Sequence, residues 1–265
     1  EECDSLEREL EAFTGAKHAI TCASGTDALL LAMMALDIQP GDEIITTPFT
    51  FIATAETIAL MKGKPVFVDI QADTYNIDPT KIEAAITSKT KAIIPVSLYG
   101  QPPDLDEIKA IAEKNNLKVI IDGAQSFGAA YKGITDSALG DISCTSFFPA
   151  KPLGCYGDGG AVFTNEDSLA DKMLMLRSHG QEQRYLHKYI GIGGRLDTLQ
   201  AAVLMAKLRH YRNEIEQRQR VAQRYDEGMA MMQGITLPKI KIDRTCVWAQ
   251  YTLRAKDRQT LQEKL

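Results

Sequence analysis

The stretch Val119-Ile120-Ile121-Asp122 decides the fold, because three branched apolar residues in a row end in an acid. Such a run is typical of a parallel strand buried on both faces, and open α/β folds bind ligands at the carboxyl ends of these strands. Lys151 lies 29 residues further on, in Ser146-Phe147-Phe148-Pro149-Ala150-Lys151, after a second strand-like stretch over 142–148. We therefore expect a carboxylate and an amine at one edge of a sheet. The competing interpretation is a helix-capping aspartate and a surface lysine.

Strand-like and helix-like segments alternate from about residue 18 to residue 165. This pattern predicts an α/β fold with a mostly parallel central sheet and helices on both faces, in which residues 160–164 form a return strand. A long charged helix is predicted over 196–232, a break over 234–238 and a strand over 247–254. We expect a large domain over 1–234, which includes the long helix, and the start of a smaller C-terminal α+β domain over 235–265, only partly present.

The composition limits the possible partners and cofactors. The 265 residues are 45% apolar and 25% charged, with a net charge of −5, so neither nucleic acid nor a membrane surface is expected as the main partner. The five cysteines form no CxxC motif and only four histidines are present, so no metal site is expected.

The same cysteines indicate where the protein is located. Free thiols favour a reducing compartment, so the cytoplasm is predicted. No apolar run is long enough to cross a bilayer. Both ends of the chain resemble the middle of a helix, so a fragment is expected.

Two further motifs follow predicted strands. Ser24-Gly25-Thr26-Asp27 lies between a strand and a helix, where a glycine permits the close approach of an anion and the first N–H groups of the helix are free donors. A plain Ser/Thr N-cap explains the same residues. Phe49 and Phe51 follow the next strand, and an aromatic ring there can stack on a flat ligand. One of these two phenylalanines is expected to lie in the core instead.

The acid and the lysine have neighbours that suit one kind of chemistry. Gln125 closes Asp122-Gly123-Ala124-Gln125, Ser146 precedes Lys151 by five residues, and Gly157-Asp158-Gly159-Gly160 follows. A carboxylate that keeps a pyridine nitrogen protonated and an amine that forms a Schiff base are the protein groups that pyridoxal phosphate (PLP) chemistry requires. The lysine then also moves a proton between the substrate carbon and the cofactor. The sequence thus predicts a PLP site, and a salt-bridged or capping aspartate is the alternative.

These motifs, together with Tyr99-Gly100-Gln101-Pro102, resemble those of the DegT/DnrJ/EryC1/StrS family of sugar aminotransferases, which are fold-type I, PLP-dependent enzymes. The resemblance extends over essentially the whole chain. It implies a catalytic lysine and a set of cofactor-binding residues: Lys151 as the Schiff-base lysine, Asp122 on the pyridine nitrogen, Gln125 near the ring oxygen, Phe51 stacked on the ring, and Gly25, Thr26 and Ser146 at the phosphate.

The resemblance also implies a homodimer with active sites shared across the interface. The segment Gly191-Ile192-Gly193-Gly194-Arg195-Leu196-Asp197 matches the stretch that reaches the partner's site. Many members have an asparagine where Gly193 stands, and its absence puts that phosphate contact in doubt. Arg195 remains as a candidate substrate-binding residue, since a guanidinium suits a phosphate or carboxylate. The alternative for Arg195 is an intramolecular salt bridge with Asp197.

The reaction that the resemblance implies is transfer of an amino group from glutamate to a keto group of a nucleotide-linked sugar, by a ping-pong mechanism. His179-Gly180-Gln181 and residues 193–200 are most similar to members that aminate the 3-keto group of a UDP-2-acetamido-2-deoxy-hexuluronic acid, in cell-surface polysaccharide (O-antigen) biosynthesis. A 4-keto-6-deoxyhexose substrate is the near alternative.

Three other functions are disfavoured. The PLP-dependent sugar dehydratases of the same family have a histidine in place of the lysine, and Lys151 is retained here. A regulatory sensor does not need the intact lysine with its phosphate and pyridine partners. A dinucleotide-binding Rossmann enzyme is disfavoured because no GxGxxG follows the first strand.

Overall fold

The computed structural model describes residues 1–264 of the chain. Seven α-helices lie in this part: α1 Glu2–Thr14, α2 Gly25–Ala35, α3 Ile52–Leu60, α4 Leu105–Lys114, α5 Asp167–Arg177, α6 Thr198–Met229 and α7 Arg258–Lys264. The same residues form thirteen strands: β1 His18–Cys22, β2 Glu43–Thr46, β3 Lys64–Phe67, β4 Thr90–Ile93, β5 Lys118–Asp122, β6 Ala130–Tyr131, β7 Ile134–Thr135, β8 Ile142–Ser146, β9 Gly160–Thr164, β10 Gln181–Gln183, β11 Leu186–His187, β12 Ile235–Thr236 and β13 Arg254–Ala255. Over residues 1–264, no helix is both long and apolar enough to cross a membrane.

Seven of the strands form one central sheet, in the order β1-β9-β8-β5-β4-β2-β3. Strand β9 is antiparallel to β8 and β1, whereas the other neighbouring pairs are parallel. The predicted mostly parallel sheet is therefore confirmed, and β9 is the predicted return strand. Because β9 runs in the opposite direction, its first residue, Gly160, lies opposite Ser146 and Cys22, the last residues of β8 and β1.

The side chains of β5 show that both faces of the sheet are covered. Ile120 packs in the core that contains α2 and α5, whereas Val119 and Ile121 pack in the core that contains α4. A further core joins α1 and α6 to the sheet around Phe163 of β9. Successive side chains of a strand point to opposite faces, so an unbroken apolar run is stable only with helices on both sides. Helices on both faces were predicted, and this is confirmed.

The chain after α5 agrees with the predictions in part. The predicted long helix is α6, and it ends before Gly234 as expected. The strand predicted over 247–254 is wrong, because only Arg254 belongs to a strand, the short β13. Trp248 has a φ of 52°, a left-handed conformation that interrupts an extended chain. The N–H groups on either side of it donate to the carbonyls of Tyr99 and Gly100, at 3.0 Å each.

Residues 239–249 pack against the large domain through a buried ion pair. The Arg244 side chain is 3% exposed and lies 2.9 Å from Asp104, the residue that precedes α4. Lys241 adds a second cation, 2.7 Å from the same carboxylate. The segment that follows α6 is thus attached to the loop before α4. The division of the chain at residue 234 stays a prediction.

Candidate active site

Several chain ends meet at one edge of the central sheet. Asp122 ends β5 and Ser146 ends the neighbouring parallel strand β8. Gly160 begins β9 beside Ser146, and the chain leaves β1 at Cys22 to enter α2 at Gly25. Carboxyl ends of parallel strands share one edge, so the two sequence motifs that contain Asp122 and Ser146 come together as predicted.

The turn into α2 fits closely against the end of β8. A methyl group placed on Gly25 would lie 2.6 Å from the Cβ atom of Ser146, and one on Gly160 would lie 2.4 Å from the carbonyl oxygen of Ser24. Glycine is therefore required at both positions by close approach rather than by an unusual backbone conformation. The resemblance implies that Gly25 and Ser146 both lie at the phosphate; the structure brings them into contact, and their role in binding phosphate stays a prediction.

This turn has the donors of an anion site. The Ser24 hydroxyl accepts a hydrogen bond from the N–H of Asp27 at 3.0 Å, which is an N-cap. The first N–H groups of an α-helix have no carbonyl partner within the helix, and the cap satisfies only one of them. The N–H groups of Gly25 and Thr26 and the hydroxyl groups of Thr26 and Ser146 are thus the donors that the turn offers to an anion. The capping interpretation and the anion-site interpretation are compatible.

Asp122 is a buried carboxylate with one hydrogen bond to each oxygen. Its side chain is 5% exposed; Oδ2 accepts from the Thr54 hydroxyl at 2.7 Å and Oδ1 from the N–H of Ala124 at 3.2 Å. Burial raises the pKa of Asp122, while these hydrogen bonds and the charge of Lys151 lower it. Thr54 in turn contacts the Thr50 hydroxyl at 2.9 Å. A carboxylate oriented in this way suits the N–H of a protonated pyridine ring.

Lys151 is half-buried and close enough to Asp122 for the two charges to act on each other. Burial lowers the pKa of Lys151, and the negative charge of Asp122 opposes that change. The Lys151 N–H donates to the Phe148 carbonyl at 2.8 Å, within the turn that follows β8. In residues 1–264 Lys151 forms no ion pair. Partial burial and a lowered pKa distinguish Lys151 from a fully solvated lysine, and its role as the Schiff-base lysine stays a prediction.

The loop after Lys151 is fastened to the start of α6. The side-chain oxygen of Gln200 accepts a hydrogen bond from the N–H of Tyr156 at 2.8 Å, and a methyl group on Gly157 would lie 2.9 Å from the Gln200 amide nitrogen. The Cys155 thiol donates to the Gly157 carbonyl at 3.0 Å. These contacts fix the position of the glycine-rich segment that follows Lys151.

Gln125 is also in place at the same edge. Its side-chain oxygen accepts a hydrogen bond from the N–H of Tyr99 at 2.6 Å, which leaves the amide NH₂ as a donor. Tyr99 has a φ of 58°, in the left-handed region. The sequence motif 99–102 was noted without a role, and its first residue proves to orient Gln125.

Phe51 lies at the sheet edge and is open to solvent. It is the residue before α3 and is 67% exposed, and Phe49 is 43% exposed. The expectation that one of the two packs in the core is wrong, because both lie beyond the last residue of β2. Phe51 precedes the helix whose Thr54 bonds to Asp122, and its exposed ring is available for stacking on a flat ligand.

Arg195 lies on the exposed segment that precedes α6. It is exposed and lines an open cavity of about 480 Å³ together with Thr21, Arg177 and Asp197. None of the ion pairs within residues 1–264 joins Arg195 to Asp197. The alternative interpretation, an intramolecular salt bridge between Arg195 and Asp197, is therefore wrong. The adjoining Gly194 carbonyl accepts from the N–H of Ala23 at 2.9 Å, so the segment passes beside the turn into α2.

Thr54 is the residue at this site that sequence reasoning missed. It lies in the first turn of α3, on a different element from Asp122, and its hydroxyl is buried against that carboxylate. The available signal was a pair of threonines four residues apart, at 50 and 54, at the start of a predicted helix. Thr50 precedes α3 and its hydroxyl contacts that of Thr54 at 2.9 Å.

Comparison with known proteins agrees with this geometry. An aminotransferase of Pseudomonas aeruginosa, described as acting on UDP-2-acetamido-2-deoxy-3-oxo-D-glucuronate, is 54% identical over 264 residues, which are 100% of this chain and 73% of the relative. The structure of S. venezuelae DesV in complex with a ketimine intermediate has a TM-score of 0.97 and 39% identity, over 99% of this chain and 71% of that one. The structure of Bacillus subtilis NtdA with bound cofactor PMP has a TM-score of 0.92 and 34% identity, over 100% of this chain and 61% of that one.

The match to a family is as extensive as the match to these relatives. The model of the DegT/DnrJ/EryC1/StrS aminotransferase family covers residues 1–265. The sequence resembles that family through motifs that include Asp122 and Lys151. In the structure, Asp122 ends β5 and Lys151 follows β8. The chain therefore belongs to the DegT/DnrJ/EryC1/StrS aminotransferase family.

Proposed function

We propose that this protein transfers an amino group from glutamate to the 3-keto group of a UDP-2-acetamido-2-deoxy-hexuluronic acid, with PLP as cofactor. The observation that carries the proposal is the pair formed by buried Asp122 and half-buried Lys151, beside the close contact of Gly25 with Ser146. The 54% identity to an aminotransferase named for a UDP-linked 3-oxo sugar acid supports this substrate over a 4-keto-6-deoxyhexose. The setting that we propose is cell-surface polysaccharide (O-antigen) biosynthesis in the cytoplasm.

The residues at the sheet edge fit PLP part by part. The anion site made by Gly25, Thr26 and Ser146 suits a phosphate. Asp122, held by the Thr54 hydroxyl, would accept from the pyridine N–H, and the free NH₂ of Gln125 would donate to the ring oxygen. When bound, PLP supplies an electron sink that stabilises negative charge on the substrate carbon. Asp122 stays ionised when it faces a protonated ring, because the ring charge offsets the burial that raises its pKa.

Lys151 is proposed to hold the cofactor and then to move the proton. Its lowered pKa increases the fraction of neutral amine at a given pH, and only the neutral amine acts as a base or nucleophile. Phe51 is exposed and would stack on one face of the ring. Burial of the amine beside Asp122 thus serves both attachment and proton transfer.

The sugar is proposed to contact Arg195 in a dimer with shared sites. Arg195 has no ion-pair partner among residues 1–264 and stands on an exposed segment, so it is free to bind a carboxylate or phosphate of the substrate. Gly193 has no side chain to add to the partner's phosphate site. We propose that Arg195 is the residue of this segment that binds the substrate in the homodimer.

The test of the function is an assay with a panel of ketosugars. Purified protein is incubated with PLP, glutamate and UDP- or dTDP-linked 3-keto or 4-keto sugars, and 2-oxoglutarate formation is measured. We expect turnover with the UDP-linked 3-keto uronic acid, none for Lys151→Ala, and wild-type turnover for the exposed control Lys89→Ala. Turnover only with a 4-keto-6-deoxyhexose would refute the substrate, and Lys151→Ala activity equal to wild type would refute the mechanism.

A further inference from the structure

A second acid, Asp136, is fully buried beneath the turn that carries Asp122 and Gln125. Its side chain is 0% exposed, and in residues 1–264 it forms no ion pair. Burial raises the pKa of Asp136 to about 7, although neighbouring hydroxyl groups oppose the change. Burial of an acid without a cationic partner is unfavourable for folding, so the groups that surround Asp136 decide what it does.

Two serine hydroxyl groups face this carboxyl group. The Ser126 hydroxyl donates to Oδ2 of Asp136. The Ser97 hydroxyl also faces the carboxyl group, and both hydroxyl groups lower the pKa that burial raises. Both Oδ1 of Asp136 and the Ser97 hydroxyl oxygen are buried without another hydrogen-bond partner in the described part of the chain. All three side chains are 0% exposed. Both unsatisfied atoms gain a partner if the Ser97 hydroxyl bonds to Oδ1 of Asp136, as the Ser126 hydroxyl does to Oδ2.

The two serines belong to the segments that hold the proposed ring-binding groups. Ser126 directly follows Gln125, and the Ser97 N–H donates to the carbonyl of Asp122 at 2.9 Å. Two residues after Ser97, the N–H of Tyr99 donates to Gln125 at 2.6 Å. The carboxyl group of Asp136 therefore lies between the two chain segments that fix Asp122 and Gln125.

The backbone leaves little room between this acid and the site. A methyl group on Gly123 would lie 3.2 Å from the Ser126 hydroxyl and 3.8 Å from Oδ2 of Asp136. Asp136 is itself held from behind, since its N–H donates to the Ala129 carbonyl at 3.0 Å and its carbonyl accepts from the Ser143 hydroxyl at 3.0 Å. A displacement of the carboxyl group is thus transmitted to the turn that follows β5.

We propose that Asp136 is a positioning residue, which bridges Ser126 and Ser97 and thereby orients Asp122 and Gln125 toward the cofactor ring. This rests on the proposed function, because it assumes that the ring binds at Asp122. The bridge needs two hydrogen-bonding atoms, and asparagine supplies an oxygen and an NH₂ group in nearly the same shape. Alanine has neither.

The experiment compares Asp136→Ala with Asp136→Asn, and uses Ser143→Ala as the matched control. The Ser143 hydroxyl touches the backbone of Asp136 but bonds to neither serine of the bridge. The readouts are the pH titration of the visible absorbance of bound PLP, the Kd for PLP, and the Tm of the cofactor-free protein. For Asp136→Ala we expect a shifted titration midpoint and a Kd raised about tenfold or more. Asp136→Asn restores both, and Ser143→Ala lowers Tm without a shift of the midpoint.

Two results would overturn the proposal. One is a wild-type titration midpoint and Kd in Asp136→Ala, which reduces Asp136 to a packing residue. The other is an equal shift in Asp136→Asn and Asp136→Ala, which shows that hydrogen bonds to the two serines do not orient the site. If Asp136→Ala does not fold, Ser126→Ala removes one arm of the bridge and is expected to shift the midpoint in the same direction. Failure of the wild-type protein to bind PLP at all is a different outcome, and it refutes the proposed function instead.

Discussion

Replacement of Gly25 by alanine tests the close contact on which the phosphate site depends. The new methyl group would lie 2.6 Å from the Cβ atom of Ser146 and 3.2 Å from its Cα atom. Carbon atoms in contact are normally about 3.5 to 4.0 Å apart, so the start of α2 must move by about 1 Å. Gly25 begins a helix, a conformation that alanine adopts readily. The effect is therefore purely steric.

The expected magnitude has two parts. Overpacking of this kind lowers the free energy of unfolding by about 1 to 3 kcal/mol. The same shift separates the N–H groups of α2 from Ser146, and loss of one hydrogen bond to a charged group is worth about 1.5 to 3 kcal/mol, which raises the Kd for PLP by about tenfold or more. Urea unfolding of the cofactor-free protein gives the first quantity, and a PLP titration gives the second.

Gly228→Ala is the matched control for this substitution. Gly228 also lies in a helix, α6, but a methyl group there has no neighbour within 4 Å. We expect it to leave the Kd unchanged and to stabilise the protein by about 0.5 to 1 kcal/mol, since alanine is the better helix former. A Gly25→Ala protein with wild-type stability and wild-type affinity for PLP would refute the reasoning.

Three further predictions concern other buried polar groups. Thr54→Val removes the hydrogen bond to Asp122. We expect the visible absorbance of bound PLP to titrate at a changed pH and the Kd for PLP to rise about fivefold to tenfold. Thr54→Ser keeps the hydroxyl, so absorbance titrations are expected to give the wild-type midpoint and Kd. Arg244→Met removes one of the two cations that pair with Asp104, which keeps Lys241 and Gln71, and urea unfolding is expected to show a loss of about 1 to 3 kcal/mol. Asp136 has a pKa raised from 3.8 to about 7 in the folded protein, so the folded state binds the extra proton. Its stabilising contribution is present below pH 4 and is lost as pH rises to about 7, by on the order of 4 kcal/mol. Asp136→Asn is expected to remove this part of the pH dependence; an unchanged profile in urea unfolding between pH 4 and pH 8 would contradict it.

The parts of the fold that sequence predicted were those with a local signal. The run that ends in Asp122 is continuous and apolar because β5 is covered on both faces, and this is visible without any tertiary information. The same holds for Gly25, where a strand-turn-helix pattern predicts an anion site before any contact is known. The close approach to Ser146, 121 residues later, explains why the residue is glycine, and only the structure shows it.

The errors and omissions come from tertiary contacts. The strand predicted over 247–254 has the composition of a strand, but its N–H groups bond to the loop at Tyr99, and Trp248 adopts a left-handed conformation there. Thr54 reaches Asp122 across 68 residues of sequence. Asp136 belongs to no motif in the sequence, and only the structure shows that it is buried beneath the turn that follows β5. None of these contacts leaves a periodic pattern along the chain.

The most direct test of the central claim is chemical trapping of the cofactor on Lys151. Wild-type protein is incubated with PLP, reduced with borohydride and digested, and the peptides are analysed by mass spectrometry. The account predicts one reduced cofactor adduct, on the peptide that contains Lys151, and none in Lys151→Ala. An adduct on a different lysine, or a wild-type protein that yields none, would contradict it.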